Sequence, residues 1–84
     1  MDANKVLRRY AAGERDFRLE DLKGISLIKA NLRGVDLTGA NLSNSDLSDS
    51  DLSNANLNWV SLRGAKMPDG GMHNDYSNSA NYFG

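Results

Sequence analysis

One property constrains this fold more than any other: from residue 15 to residue 69 a five-residue unit recurs eleven times without insertion. Read in fives, the stretch runs RDFRL, EDLKG, ISLIK, ANLRG, VDLTG, ANLSN, SDLSD, SDLSN, ANLNW, VSLRG and AKMPD. Each unit is centred on a large apolar residue: Phe17, Leu22, Leu27, Leu32, Leu37, Leu42, Leu47, Leu52, Leu57, Leu62 and Met67. Two residues earlier stands a mostly small one, such as Ala30, Ala40, Ser45, Ser50, Ala55 or Ala65, and between the two lies a polar one, such as Asp16, Asn31, Asp46 or Asn56. Self-similarity at a fixed period is the mark of a repeat architecture.

A period of five matches neither the 3.6 of a helix nor a sustained alternation of two. Each unit must therefore make a short extended step followed by a corner. Within the step, the small residue and the central residue are two apart and share a side, while the Asp, Asn or Ser between them faces the other way. The predicted interior is thus Leu with Ala or Ser. The last position supports the corner in eight of eleven units, where Gly24, Gly34, Gly39, Asn44, Asp49, Asn54, Gly64 and Asp69 are residue types that tolerate positive φ. Leu19, Lys29 and Trp59 are the exceptions. Periodicity leaves the number of sides and the handedness open.

Ala30-Asn31-Leu32, Ala40-Asn41-Leu42, Ser45-Asp46-Leu47, Ser50-Asp51-Leu52 and Ala55-Asn56-Leu57 resemble the A(D/N)LXX signature of pentapeptide repeat proteins. The resemblance covers about two thirds of the chain. It implies an all-β solenoid: a right-handed quadrilateral β-helix with four units per coil, hence about three coils here. It also implies a bore filled by the central and small residues. "RYAAGERDF" before the repeat and "MPDG" with Met72-His73 after it are similar to the flanks of short cyanobacterial members.

The expected organisation is a capping helix over 1–14, the β-helix over 15–69 and a cap or tail over 70–84. Residues 3 to 12 read as a short amphipathic helix with Asp2 as N-cap, Gly13 as its stop, and Val6, Leu7, Tyr10 and Ala11 as its apolar stripe. Lys5, Arg8 and Arg9 would suit nucleic acid, but a solenoid's open end needs covering, and capping is the favoured reading. In the tail a five-residue frame is still visible from Gly70 to Asn74, centred on Met72, and from Ala80 to Gly84. Met72, Tyr76, Tyr82 and Phe83 are candidates to close the far end.

With 84 residues the chain is one domain, and its mean hydropathy of −0.57 would by itself suggest disorder. Stacked coils answer that concern, because they bury a continuous Leu column and pair the backbone between coils. Cysteine is absent, which excludes disulfides and thiolate metal sites. Neither a signal-peptide core nor a membrane-length apolar run is present, so a cytoplasmic location and no membrane partner are expected.

Catalytic chemistry has no foothold, so a non-enzymatic protein without cofactors is expected: His73 is the single histidine, and no G-x-S-x-G, P-loop or H-E-x-x-H occurs. Asp46-x-x-Asp49-x-Asp51 lacks the calcium-loop pattern. Three function classes compete. An ice-binding face needs a Thr ladder, and four units per coil would scatter Thr38, Ser43, Ser48 and Ser53 over four sides. A DNA-mimicking inhibitor or protector of DNA gyrase needs an extended acidic surface. Residues 34–62 hold Asp36, Asp46, Asp49 and Asp51 and no Lys or Arg, but four carboxylates make a weak field. A protein-interaction or scaffold module of unknown partner remains, acting as a monomer or as a homodimer through an exposed coil end, without nucleic acid.

The candidate interaction surface is Leu19, Ile28 and Trp59. A four-unit coil puts Leu19, Gly39 and Trp59 in one corner column. The bland expectation is that Leu19 packs beneath the helix and Trp59 lies across Gly39 or under the tail; the functional one is that Trp59 anchors a partner.

Overall fold

A computed structural model describes residues 1–69 and the backbone of Met72 and His73. The chain opens with helix α1, Ala3–Ala11, whose N-cap Asp2 accepts a 2.8 Å hydrogen bond from the Lys5 N–H. The helix stops as the Ala12 N–H reaches back to the Arg8 and Arg9 carbonyls, and Gly13 follows with φ of 99°. The inward stripe differs from the expected one. Ala3, Val6 and Tyr10 meet the core, whereas Leu7 and Ala11 are exposed. The reason is helical geometry: at 3.6 residues per turn Ala3, Val6 and Tyr10 fall within an arc of about 60°, whereas Leu7 lies about 60° and Ala11 about 100° round from Tyr10.

Beyond α1 the backbone winds with a register of twenty residues. Parallel bridges join Asp16 to Asp36 and Asp36 to Asn56, Asp21 to Asn41 and Asn41 to Ser61, Ser26 to Asp46 and Asp46 to Lys66, and Asn31 to Asp51. Four five-residue units therefore complete one turn, and each unit stacks on the unit twenty residues later. The first side holds 15–19, 35–39 and 55–59; the second 20–24, 40–44 and 60–64; the third 25–29, 45–49 and 65–69; the fourth 30–34 and 50–54. The ladder is regular: the Phe17 N–H donates to the Asp36 carbonyl at 2.8 Å, and the Asp36 N–H donates to the Arg15 carbonyl at 2.8 Å. At each corner the first residue of the next unit donates to the central residue of the last, as from Ala40 N–H to Leu37 carbonyl at 2.9 Å. Only the third residue of these four-residue turns has positive φ, as a type II turn requires.

Along the bore, Phe17, Leu22, Leu27, Leu32, Leu37, Leu42, Leu47, Leu52, Leu57, Leu62 and Met67 are each 3% exposed or less. The small-residue column is less uniform than its Ala and Ser members suggest. Val35 precedes Ala55 in its stack, Ala40 precedes Val60, and Ile25 stands over Ser45 and Ala65, so each branched side chain meets small neighbours and the bore stays filled. Ser45 and Ser50 are tolerated inside because each hydroxyl donates to the preceding central carbonyl, Leu42 and Leu47 respectively, at 2.7 Å.

The first coil departs from the pattern, with Arg15 and Glu20 where small residues are usual. There the larger Phe17 fills the bore, and the Arg9 guanidinium from α1 lies 4.5 Å from its ring centre. Met72 and His73, which the five-residue frame would place on a further parallel rung, pair the other way. Strand β1, Ala65–Lys66, pairs antiparallel with β2, Met72–His73, placing Ala65 opposite His73 and Lys66 opposite Met72. The expected contacts of Tyr76, Tyr82 and Phe83 lie outside the described residues.

Candidate interaction surface

The Asp and Asn between the two inward residues have a local structural task. In eight units the side-chain oxygen accepts a hydrogen bond from the backbone N–H two residues on: Arg18 to Asp16, Lys23 to Asp21, Arg33 to Asn31, Thr38 to Asp36, Ser43 to Asn41, Ser48 to Asp46, Ser53 to Asp51 and Asn58 to Asn56. Each such bond satisfies a donor that the corner removes from the ladder. Thr38 and Ser48 add a hydroxyl donor to the same oxygen, the first as a very short contact and the second at 2.6 Å. These carboxylates hold turns; they are not merely a solvated face.

Cations reduce what field remains. Arg18 pairs with Asp16 at 2.9 Å and lies 4.0 Å from Asp36, while Arg33 reaches Asp51 at 3.4 Å. Hydrogen bonds from the Arg18 guanidinium and backbone pull the Asp16 carboxyl down to about 2. The Ser48 hydroxyl and N–H, then Lys66, lower Asp46; the Ser53 hydroxyl and N–H, then Arg33, lower Asp51. A carboxyl held below its unfolded value contributes stability that is present above about pH 4 and lost as pH falls through the folded value. The melting temperature should therefore be flat near neutrality and fall progressively from about pH 4 to about pH 2. A melt that is already declining between pH 6 and 5 would assign the loss to other groups.

The acidic stretch does not converge on a site. The twenty-residue register puts Asp36 on the first side, Asp46 and Asp49 on the third and Asp51 on the fourth. Thr38, Ser43, Ser48 and Ser53 likewise fall on four successive sides, so no hydroxyl ladder forms. Among the described residues no group of three His, Asp or Glu side chains could hold a metal ion, and no helix is long and apolar enough to cross a membrane. The side chain of His73 lies outside the described residues.

What stands out is apolar and outward. Leu19 is 81% exposed, Trp59 72% and Ile28 49%. Leu19 does not pack beneath α1; it leans along the corner column over Gly39, where a Cβ would lie 2.6 Å from its Cδ2. Trp59 does not lie across Gly39 either, since Leu19 alone comes within 4 Å of that position. The corner backbone aims both side chains away from the bore. Docking of Trp59 under the tail falls outside the described residues. Leu19 also borders a shallow surface depression of about 420 Å³ with Asp16, Arg18 and Thr38. Leu19, Lys29 and Trp59 hold φ of 61°, 60° and 59°, a conformation costing a side-chain-bearing residue roughly 1 kcal/mol.

The family described as pentapeptide repeats matches residues 30–67 in eight copies. Among solved structures the chain is similar to HetL, a pentapeptide repeat protein involved in heterocyst differentiation regulation from the cyanobacterium Nostoc sp. strain PCC 7120. That match has a TM-score of 0.58 and 33% identity, covering 87% of this chain and 29% of HetL. The chain thus spans less than a third of HetL's length. A second similarity is to AT2G44920, a pentapeptide repeat protein from the Arabidopsis thaliana thylakoid lumen. Its TM-score is 0.40 and its identity 28%, over 66% of this chain and 42% of that one. No curated protein matches the sequence.

Proposed function

We propose that this chain, which belongs to the pentapeptide repeat family, whose members adopt a right-handed β-helix, is a non-enzymatic protein-interaction module of about three coils. In this reading α1 caps the first coil, and the module binds a protein partner in the cytoplasm rather than nucleic acid or a membrane. The observation that carries it is the corner column of Leu19 and Trp59. Two large apolar groups stand in solvent on backbone that Gly, Asn or Asp would adopt at lower cost, and gain no core burial for it. Local strain retained without an internal return is a recurrent feature of functional positions. The gyrase-directed alternative is weakened by the pairing of Asp36 and Asp51 with arginines and by their separation over different sides.

The test is the pair Leu19→Gly and Trp59→Gly. Both should keep the circular-dichroism spectrum and leave the melting temperature unchanged or slightly higher, because glycine relieves the positive φ. Both should lose a partner captured from source lysate by the wild type. A clear drop in melting temperature would make the side chains structural, and undiminished capture would remove them from the interface.

A further inference from the structure

The upper rim of the first coil is closed unevenly by α1. The Arg9 guanidinium donates to the Asp16 carbonyl on the first side at 3.2 Å, the Met1 ammonium to Asp21 on the second at 3.4 Å, and the Tyr10 hydroxyl to Arg33 on the fourth at 2.8 Å. Among the described residues the third side, Ile25–Lys29, receives no hydrogen bond from the helix. One coil lower on that side, the Asp46 N–H donates to the Ile25 carbonyl, while the Asp46 and Ser48 carbonyls accept from Leu27 and Lys29, all at 2.8 Å. The corresponding groups on the rim are the Ser26 N–H, the Ser26 carbonyl and the Ile28 carbonyl. Among the described residues none of the three has a partner. Ser26 is exposed and Ile28 is half-exposed, so this is an open strand edge with one donor and two acceptors already at ladder spacing.

We propose that this edge accepts an extended, acidic segment of a partner protein as an added strand. The proposal rests on the reading of the chain as an interaction module. Lys23 and Lys29 flank the edge, are exposed, and have no carboxylate partner among the described residues. A second copy of this chain fits poorly. Its coils would have to stack over α1, and the flanking lysines are the usual device that keeps like edges apart. A single strand needs only this one side, on which it would form three backbone hydrogen bonds and lay an aliphatic side chain beside Ile28.

The test uses a fluorescein-labelled synthetic peptide of sequence EVTVTVE, titrated at low and at physiological salt. The wild type should bind it saturably with slower exchange of the Ser26 amide, and the basic counterpart KVTVTVK should bind about tenfold more weakly or worse. Ser26→Pro removes a donor that the fold itself leaves unpaired. It should weaken binding about tenfold while leaving the melting temperature in place. Lys29→Glu should weaken binding similarly, and backbone N-methylation of the peptide gives a readout that does not touch the protein. Equal binding to Ser26→Pro, or no saturation into the millimolar range, overturns the proposal. So does a Ser26 amide already protected in a dimer, which would make a second copy the occupant. If a lysate partner depends on Trp59 and survives Ser26→Pro, strand addition fails while the interaction module stands.

Discussion

Leu47→Asp is expected to leave the protein unfolded. Leu47 has no exposed surface and sits in the middle coil, in register with Leu27 one coil before it and Met67 one coil after it. Truncating such a side chain costs roughly 2–5 kcal/mol, and a carboxylate there adds several more for a charge with no hydrogen-bond donor aimed at it. An 84-residue domain has on the order of 4–12 kcal/mol in total, so the substitution consumes the available stability. The same holds for Leu42→Asp, equally buried on the second side. Ser43→Ala and Ser48→Ala are the matched controls one residue further on. Their hydroxyls bond Ser61 at 2.9 Å and Asp46 at 2.6 Å on the outer surface, and losing either should cost about 1 kcal/mol or less. Circular dichroism and thermal melts separate the two classes. Serine variants that unfold like the leucine variants would invert the assignment of inside and outside.

These neighbours show what the sequence can and cannot convey. A residue two before each Leu shares its side whatever the coil looks like, so the bore was legible from spacing alone. The four-sided cross-section was not, because it is a property of the ladder between residues twenty apart and no local signal carries it. The task of the outward Asp and Asn is legible in principle, because an Asx residue two positions before the turn's first central N–H is a known turn device, but in a strict repeat the same residues read equally well as a charged outer face. Leu19 and Trp59 are different again. Their column follows from the register, but a corner residue that faces solvent has no periodic partner to fix its direction, and burial was the natural expectation. Exposure at positive φ is visible only in the folded chain. On α1, Leu7 faces solvent against expectation because nine residues carry too little periodicity to choose between adjacent stripes.

The second large effect is expected at Asp46, and it separates charge from hydrogen bonding. One oxygen of Asp46 accepts from the Ser48 N–H at 3.0 Å and from the Ser48 hydroxyl at 2.6 Å, with Lys66 contributing a weaker attraction. Asp46→Ala leaves a corner N–H without its acceptor in the middle coil, where the ladder offers no substitute. The melting temperature should fall by roughly 5 °C or more, since both hydrogen bonds from Ser48 are lost in a domain of this length. Asp46→Asn keeps a carbonyl oxygen in place. Asn31, Asn41 and Asn56 already perform the same task in this chain, at 3.2, 3.0 and 3.0 Å from the Arg33, Ser43 and Asn58 amides. The asparagine variant should therefore melt close to the wild type at neutral pH and lose less stability on acidification, since an amide does not protonate in that range. Were alanine and asparagine to destabilise equally, attraction to Lys66 rather than the turn would be the role of Asp46. Were neither to matter, the repeat's preference for Asp and Asn at this position would have to come from something other than the corner they cap.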